Sequence, residues 1–117
     1  MGALTTHILD LVNGRPAADV RVDLYEVNDA RATFVCSRTT NKDGRMSEPL
    51  IHAGKLHSGT YELRFHIGDY FRESVSVKGA HPFLDIIPVR FNVASPLEDY
   101  HVPLLVSPYG YQVYRGS

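Results

Sequence analysis

The sequence predicts an all-β domain folded as a sandwich or barrel, and three observations predict it. Apolar residues recur at every second position in several stretches, as in strands that turn one face to a core. Turn-forming pairs break these stretches at the spacing of short strands. Helical periodicity is confined to one short segment.

The first strand runs from Leu4 to Leu11. One of its faces carries Leu4, Thr6 and Ile8, and the other carries Thr5, His7, Leu9 and Leu11. Both faces are partly apolar, so the outer one is expected to meet another subunit rather than water. Asn13-Gly14 then marks a turn. Val20, Val22 and Leu24 alternate with Arg21 and Asp23, giving a second strand over Val20 to Val27. Phe34 to Arg38 is strand-like, with Cys36 as a small core residue rather than a nucleophile. Lys42-Asp43-Gly44 is a turn, and Arg45 follows it before a further strand.

After the Ser58-Gly59 turn, Tyr61, Leu63, Phe65 and Ile67 alternate with Glu62, Arg64 and His66. Gly68 to Ser74 is the helical segment, with Asp69 placed to cap it. Beyond a Lys78-Gly79 turn, Ile87, Val89, Phe91 and Val93 alternate with Pro88, Arg90 and Asn92. Ser95-Pro96 leads to the last long strand, where Tyr100, Val102, Leu104 and Val106 alternate with His101 and Pro103. Pro103 implies an edge or a break in the ladder, because proline has no amide proton to donate. Ser107-Pro108 turns the chain toward its end.

At 117 residues the chain is expected to form one domain, 1–117, with no internal repeat or linker. Its 44% apolar and 21% charged content is that of an ordered globular protein. The net charge of −1, with lysines and arginines scattered, argues against a nucleic-acid partner. A single cysteine, Cys36, excludes an intramolecular disulfide and favours a reducing compartment. No apolar run approaches the length of a membrane span. The start lacks a basic segment followed by an apolar one, and Arg-Gly-Ser at the end is no peroxisomal address. A cytoplasmic location is expected, with no membrane partner.

Six histidines stand in the chain. His52, His57, His66 and His81 match no metal-ligand spacing and are read as structural, His66 as solvated on the polar side of its strand. No metal site is expected. His7 and His101 differ, because each interrupts an apolar terminal strand on the side opposite the core. A half-buried imidazole there suits a general base near neutral pH. The guanidinium of Arg45 suits holding a planar polar ligand or polarising a carbonyl. A Gly-x-Ser-x-Gly elbow and a phosphate-cradling glycine loop are both missing. The residues alone thus reach a histidine and arginine site on a self-association surface, without a substrate.

Two blocks carry a resemblance to a known family. The first is Leu4-Thr5-Thr6-His7-Ile8-Leu9-Asp10 followed by Asn13-Gly14-Arg15-Pro16-Ala17. The second is Tyr100-His101-Val102-Pro103-Leu104-Leu105-Val106-Ser107-Pro108-Tyr109-Gly110-Tyr111, running into Tyr114-Arg115-Gly116-Ser117. Between them lie Lys42-Asp43-Gly44-Arg45, Gly59-Thr60-Tyr61-Glu62-Leu63 and Tyr70-Phe71, in the same order. Together these resemble the transthyretin-related family over nearly the whole chain. The family holds hormone-carrying transthyretins and 5-hydroxyisourate hydrolases, and the terminal Tyr-Arg-Gly-Ser resembles the hydrolases.

The resemblance implies an all-β, transthyretin-like, eight-stranded antiparallel β-sandwich with one short α-helix. It implies a homotetramer, a dimer of dimers, with active sites along a central channel. The implied reaction converts 5-hydroxyisourate to 2-oxo-4-hydroxy-4-carboxy-5-ureidoimidazoline without a cofactor, as part of urate breakdown. His7, Arg45, His101 and Ser117 are the implied catalytic residues. Arg45, Tyr114 and Arg115 are implied to bind substrate, and which histidine is the base stays open. Strict alternation would put Arg115 and Ser117 on one face. The rival readings are a transthyretin-like carrier of a small aromatic ligand and a non-catalytic sandwich module. A channel built for an apolar hormone has no need of two histidines and two arginines.

Overall fold

The computed structural model describes residues 2–73 and 82–117, so the Lys78-Gly79 turn, His81 and the Ser74 end of the expected helix lie outside the described residues. Eight strands and one helix are found among the described residues. In order they are β1 (Leu4–Asp10), β2 (Arg15–Pro16), β3 (Arg21–Asn28), β4 (Arg31–Thr39), β5 (Gly59–His66), α1 (Ile67–Glu73), β6 (Ile86–Val93), β7 (Tyr100–Val106) and β8 (Tyr111–Val113). They form two four-stranded sheets, β2-β1-β7-β8 and β4-β3-β5-β6. Fully buried side chains from both sheets make one core: Leu4, Ile8, Leu104 and Val106 from the first, Val22, Leu24, Leu63 and Phe65 from the second. Each such side chain contributes roughly 1.5–3 kcal/mol by leaving water.

The eight-stranded sandwich and its short helix are as the sequence leads one to expect. One pairing departs from the antiparallel expectation. β1 and β7 run parallel over seven residue pairs, from Leu4↔Tyr100 to Asp10↔Val106. A parallel pair needs a long crossover, and here the whole second sheet supplies it.

Three local readings are corrected, and the one for Pro103 resolves to a break in the ladder rather than an edge. No strand follows Arg45; the segment 44–51 instead clips onto the stretch of β1 that β2 leaves unpaired, through isolated bridges His7↔Arg45 and Leu4↔Ile51. α1 begins at Ile67, so Asp69 lies inside its first turn and pairs with Arg72 at 2.8 Å rather than capping. Pro103 sits in an interior strand, yet the ladder does break beside it. β8 pairs with β7 only at residues 104–106 and rejoins it at His101↔Gly116, which leaves the missing Pro103 amide unneeded. His66 is not simply solvated, because its Nε2 lies 2.9 Å from the buried Asp23 carboxylate. Cys36 packs half-buried against the core as expected, and burial raises its thiol pKa, which disfavours the thiolate a nucleophile needs.

β1 ends where it does because the buried Asp10 carboxylate accepts the amides of Val12 and Asn13, folding the chain back. The Tyr70 hydroxyl donates to the same carboxylate at 2.6 Å, tying α1 to this turn. Burial and the Asp10 charge push the Tyr70 phenol up to about 12, so it stays a donor at neutral pH. Among the described residues, no helix is long and apolar enough to cross a membrane.

Candidate active site

Period-two geometry fixes which side chains share the outer face of the β2-β1-β7-β8 sheet. Leu4, Thr6, Ile8 and Asp10 point inward and are buried, which leaves Thr5, His7 and Leu9 outward and half-buried. β7 pairs with β1 in register, Thr5↔His101 and His7↔Pro103. His101 and Pro103 therefore share the outer face with His7, and the two histidines are diagonal neighbours. Thr5 Oγ1 lies 2.8 Å from His101 Nδ1.

Arg45 arrives on the other side of His7 through the isolated bridge. The turn before it requires glycine. Gly44 has φ +71°, and a Cβ there would lie 2.5 Å from the Ile8 carbonyl oxygen, which accepts the Ala17 amide, while the Ile8 amide donates to the Gly44 carbonyl. Gly44→Ala is expected to cost about 1–3 kcal/mol, read as a lower urea midpoint; an unchanged midpoint would show that the turn rebuilds freely. The Arg45 side chain is exposed, and its guanidinium has no ion-pair partner among the described residues.

Electrostatics follow from this crowding. Burial lowers the pKa of His7 below its ordinary 6.5, Arg45 lowers it further, and a hydrogen bond to the Asp43 backbone opposes both. Burial likewise lowers His101, followed by Arg45 and then His7, with a hydrogen bond to the Thr5 backbone in opposition. Both imidazoles are therefore mainly neutral at pH 7. The cluster offers two proton acceptors beside a fixed cation.

The chain end divides. Gly116 donates its amide to the His101 carbonyl at 2.7 Å, and a Cβ on it would lie 2.6 Å from His101 Cδ2. Glycine is thus needed for the tail to lie against the imidazole. Arg115 goes the opposite way, with its guanidinium 4.2 Å from the Tyr100 ring centroid and bonded to Glu98 and the Asp99 carbonyl. Alternation from Gly116 sends Ser117 to the side of Arg115, and the Ser117 hydroxyl bonds neither histidine among the described residues. Tyr114 shares the parity of Gly116 and is exposed. The structure therefore brings together His7, Arg45 and His101, with Tyr114 on their face, and sets Arg115 apart. Arg115 faces away from the histidines, and Ser117 falls on its side where the alternation continues one residue past Gly116.

Thr5 and Gly116 were not singled out from the sequence. Thr5 is an ordinary strand threonine until the register of β7 is known. Gly116 lay inside a recognised tail, yet only its distance to the imidazole shows why that residue is glycine.

The hollow beside Arg45 measures about 180 Å³ and is lined by Thr5, Thr6, Arg45, Met46, Glu48 and Pro49. A larger one, about 580 Å³, lies elsewhere, among residues that include Arg15, Lys42, His66 and Tyr70. It contains none of the clustered histidine and arginine groups. The histidine face is a sheet surface, so within one chain it is open rather than enclosed.

Comparison with known proteins gives the family of the chain. The sequence profile of the HIUase/Transthyretin family matches residues 4–116. A 5-hydroxyisourate hydrolase of Halalkalibacterium halodurans is 49% identical over 117 residues, covering 99% of this chain and 98% of its own. The structure of Klebsiella pneumoniae 5-hydroxyisourate hydrolase superposes with TM-score 0.82 at 30% identity, each chain covered completely. That of (S)-allantoin synthase gives TM-score 0.89 at 42% identity, over 99% of this chain but only 44% of that longer one. With the two-sheet fold, the parallel β1–β7 pair and a profile match along almost its entire length, this chain belongs to the HIUase/Transthyretin family.

Proposed function

We propose that the chain, as a single domain over 1–117, hydrolyses 5-hydroxyisourate to 2-oxo-4-hydroxy-4-carboxy-5-ureidoimidazoline in the cytoplasm. The observation that carries this reading is the meeting of two imidazoles, both kept mainly neutral, with an unpaired guanidinium on one sheet face. The hydrolase names borne by full-length relatives supply the substrate.

Ring opening at an amide-like bond sets three tasks. One imidazole of the His7–His101 pair takes a proton from water as the water oxygen attacks the ring carbonyl. Arg45 stabilises the oxyanion that forms, its charge undiminished by any salt bridge. The C–N bond then breaks, and the imidazolium returns its proton to the departing nitrogen. Tyr114 flanks the substrate from the tail. Ser117 starts on the side away from the histidines, held by no hydrogen bond among the described residues, and orienting the water takes a turn of that residue that brings its hydroxyl toward His101. Arg115 acts at a distance, by clamping the tail on Tyr100. Side chains cover every step, so the reaction as written requires no metal or organic cofactor.

A single chain does not enclose this site. The hollow at Arg45 is smaller than the roughly 300–1,000 Å³ of ordinary small-molecule pockets. Closing it takes a second copy laid over the same face, where Leu9 and Leu105 supply half-buried apolar surface. This favours the homotetramer, with the catalytic clusters in a channel between facing sheets.

The test is the ultraviolet decay of freshly generated 5-hydroxyisourate with and without protein, repeated across pH. Both histidines are lowered and act as neutral bases. Catalysis should therefore be level above about pH 7 and fall as pH drops, on a limb centred below 6.5. Decay at the uncatalysed rate would overturn the reading in favour of a carrier, and a limb centred above 6.5 would overturn the assignment to these imidazoles.

A further inference from the structure

We infer that Thr5 is a positioning residue for this chemistry: it accepts a hydrogen bond from His101 Nδ1–H and so leaves His101 Nε2 as the proton-accepting atom. The inference rests on the reading above, while the Thr5–His101 contact itself is independent of it.

The contact is built by register rather than by chance rotamers. Parallel pairing sets Thr5 directly beside His101, and both side chains leave the sheet on the same face. Their polar atoms meet at 2.8 Å. A hydroxyl can donate or accept, so distance alone leaves two tautomers open. The role of a base separates them: a neutral ring that takes its proton at Nε2 carries its hydrogen on Nδ1, and Thr5 Oγ1, 2.8 Å away, is then the acceptor.

The rest of the surroundings agree. Arg45 and His7 face the imidazole from the segment 44–51 and from β1. The Gly116 backbone lies against its Cδ2 edge from the tail. Arg115 is turned away onto Tyr100. No carboxylate bonds to His101 among the described residues. A neutral hydroxyl in place of the usual carboxylate orients the ring without adding the negative charge that would raise its pKa. The ring can then stay neutral beside Arg45 and take a proton at Nε2 as water attacks. The same proton leaves from Nε2 to the departing nitrogen, and Nδ1–H stays in place throughout.

The test uses Thr5→Val, which keeps the shape and removes the hydroxyl, with Thr5→Ser as rescue. In the wild-type protein, long-range proton–nitrogen NMR of the His101 ring should show hydrogen on Nδ1 at neutral pH. In Thr5→Val that population should fall in favour of the Nε2–H form. Turnover of 5-hydroxyisourate should drop about 10-fold in kcat with little change in KM, the worth of one hydrogen bond to a reacting group. The acid limb should move to lower pH, because the imidazolium loses an acceptor while the neutral ring can switch tautomer. Thr5→Ser should return kcat and limb to near wild type.

Hydrogen on Nε2 in the wild-type ring, or a limb that moves upward in Thr5→Val, would overturn the assignment. So would wild-type kcat in Thr5→Val. A merely structural threonine would change the melting temperature or assembly without moving the limb. Should the wild-type protein fail to speed 5-hydroxyisourate decay, the functional reading falls, while the NMR result still decides the tautomer.

Discussion

His7→Ala and His101→Ala are each expected to lower turnover of freshly generated 5-hydroxyisourate by about 10²- to 10⁴-fold, the usual loss when a general base is removed. Both side chains point out of the sheet and contribute nothing to the buried core, so folding should survive either change. The loss should fall mainly on kcat, because proton transfer is made only in the transition state. The two variants should differ in what remains. In His7→Ala the acid limb should move up toward 6.5, since His7 lowers the pKa of His101. Rates near wild type in both variants, with the oligomer unchanged, would remove the imidazoles from the reaction.

Arg45→Met is expected to lower kcat by about 10²- to 10³-fold, the scale seen when an oxyanion donor is lost. Methionine keeps much of the aliphatic stem, so the backbone clip between 44–51 and β1 should persist. This variant carries a second signature with a definite sign. Arg45 lowers the pKa of both histidines, so its removal should raise both and move the acid limb upward. Thr5→Val should move the same limb downward. A pH–rate profile of the three proteins therefore separates charge from tautomer. If Arg45→Met retains kcat and only raises KM, Arg45 binds the substrate in its ground state and does not stabilise the oxyanion.

Much of this arrangement is legible along the chain. Alternation in β1 and β7 separates core from outer residues without any coordinates, and it leaves His7 and His101 outside. Asp43-Gly44 announces the turn that delivers Arg45. What period-two patterns do not carry is partnership between strands. Nothing in Leu4 to Asp10 says that its neighbour is Tyr100 to Val106, or that the two run parallel. That pairing is what makes Thr5 a neighbour of His101. Asp23 and His66 show the same limit, each reading as a solvated strand residue until β3 and β5 bring them to 2.9 Å.

The sequence by itself determined the sandwich, the identity of the chemical groups and the sheet face that bears them, because these depend on local periodicity and side-chain chemistry. The tertiary structure decided the rest: which groups meet, how far each imidazole is driven from 6.5, and which way the tail turns. Gly116 lies on His101 while Arg115 swings to Tyr100. Those outcomes are set by register and burial between segments nearly a hundred residues apart, as in the Thr5–His101 contact. Distances of that kind are properties of the folded chain, and no stretch of sequence contains them.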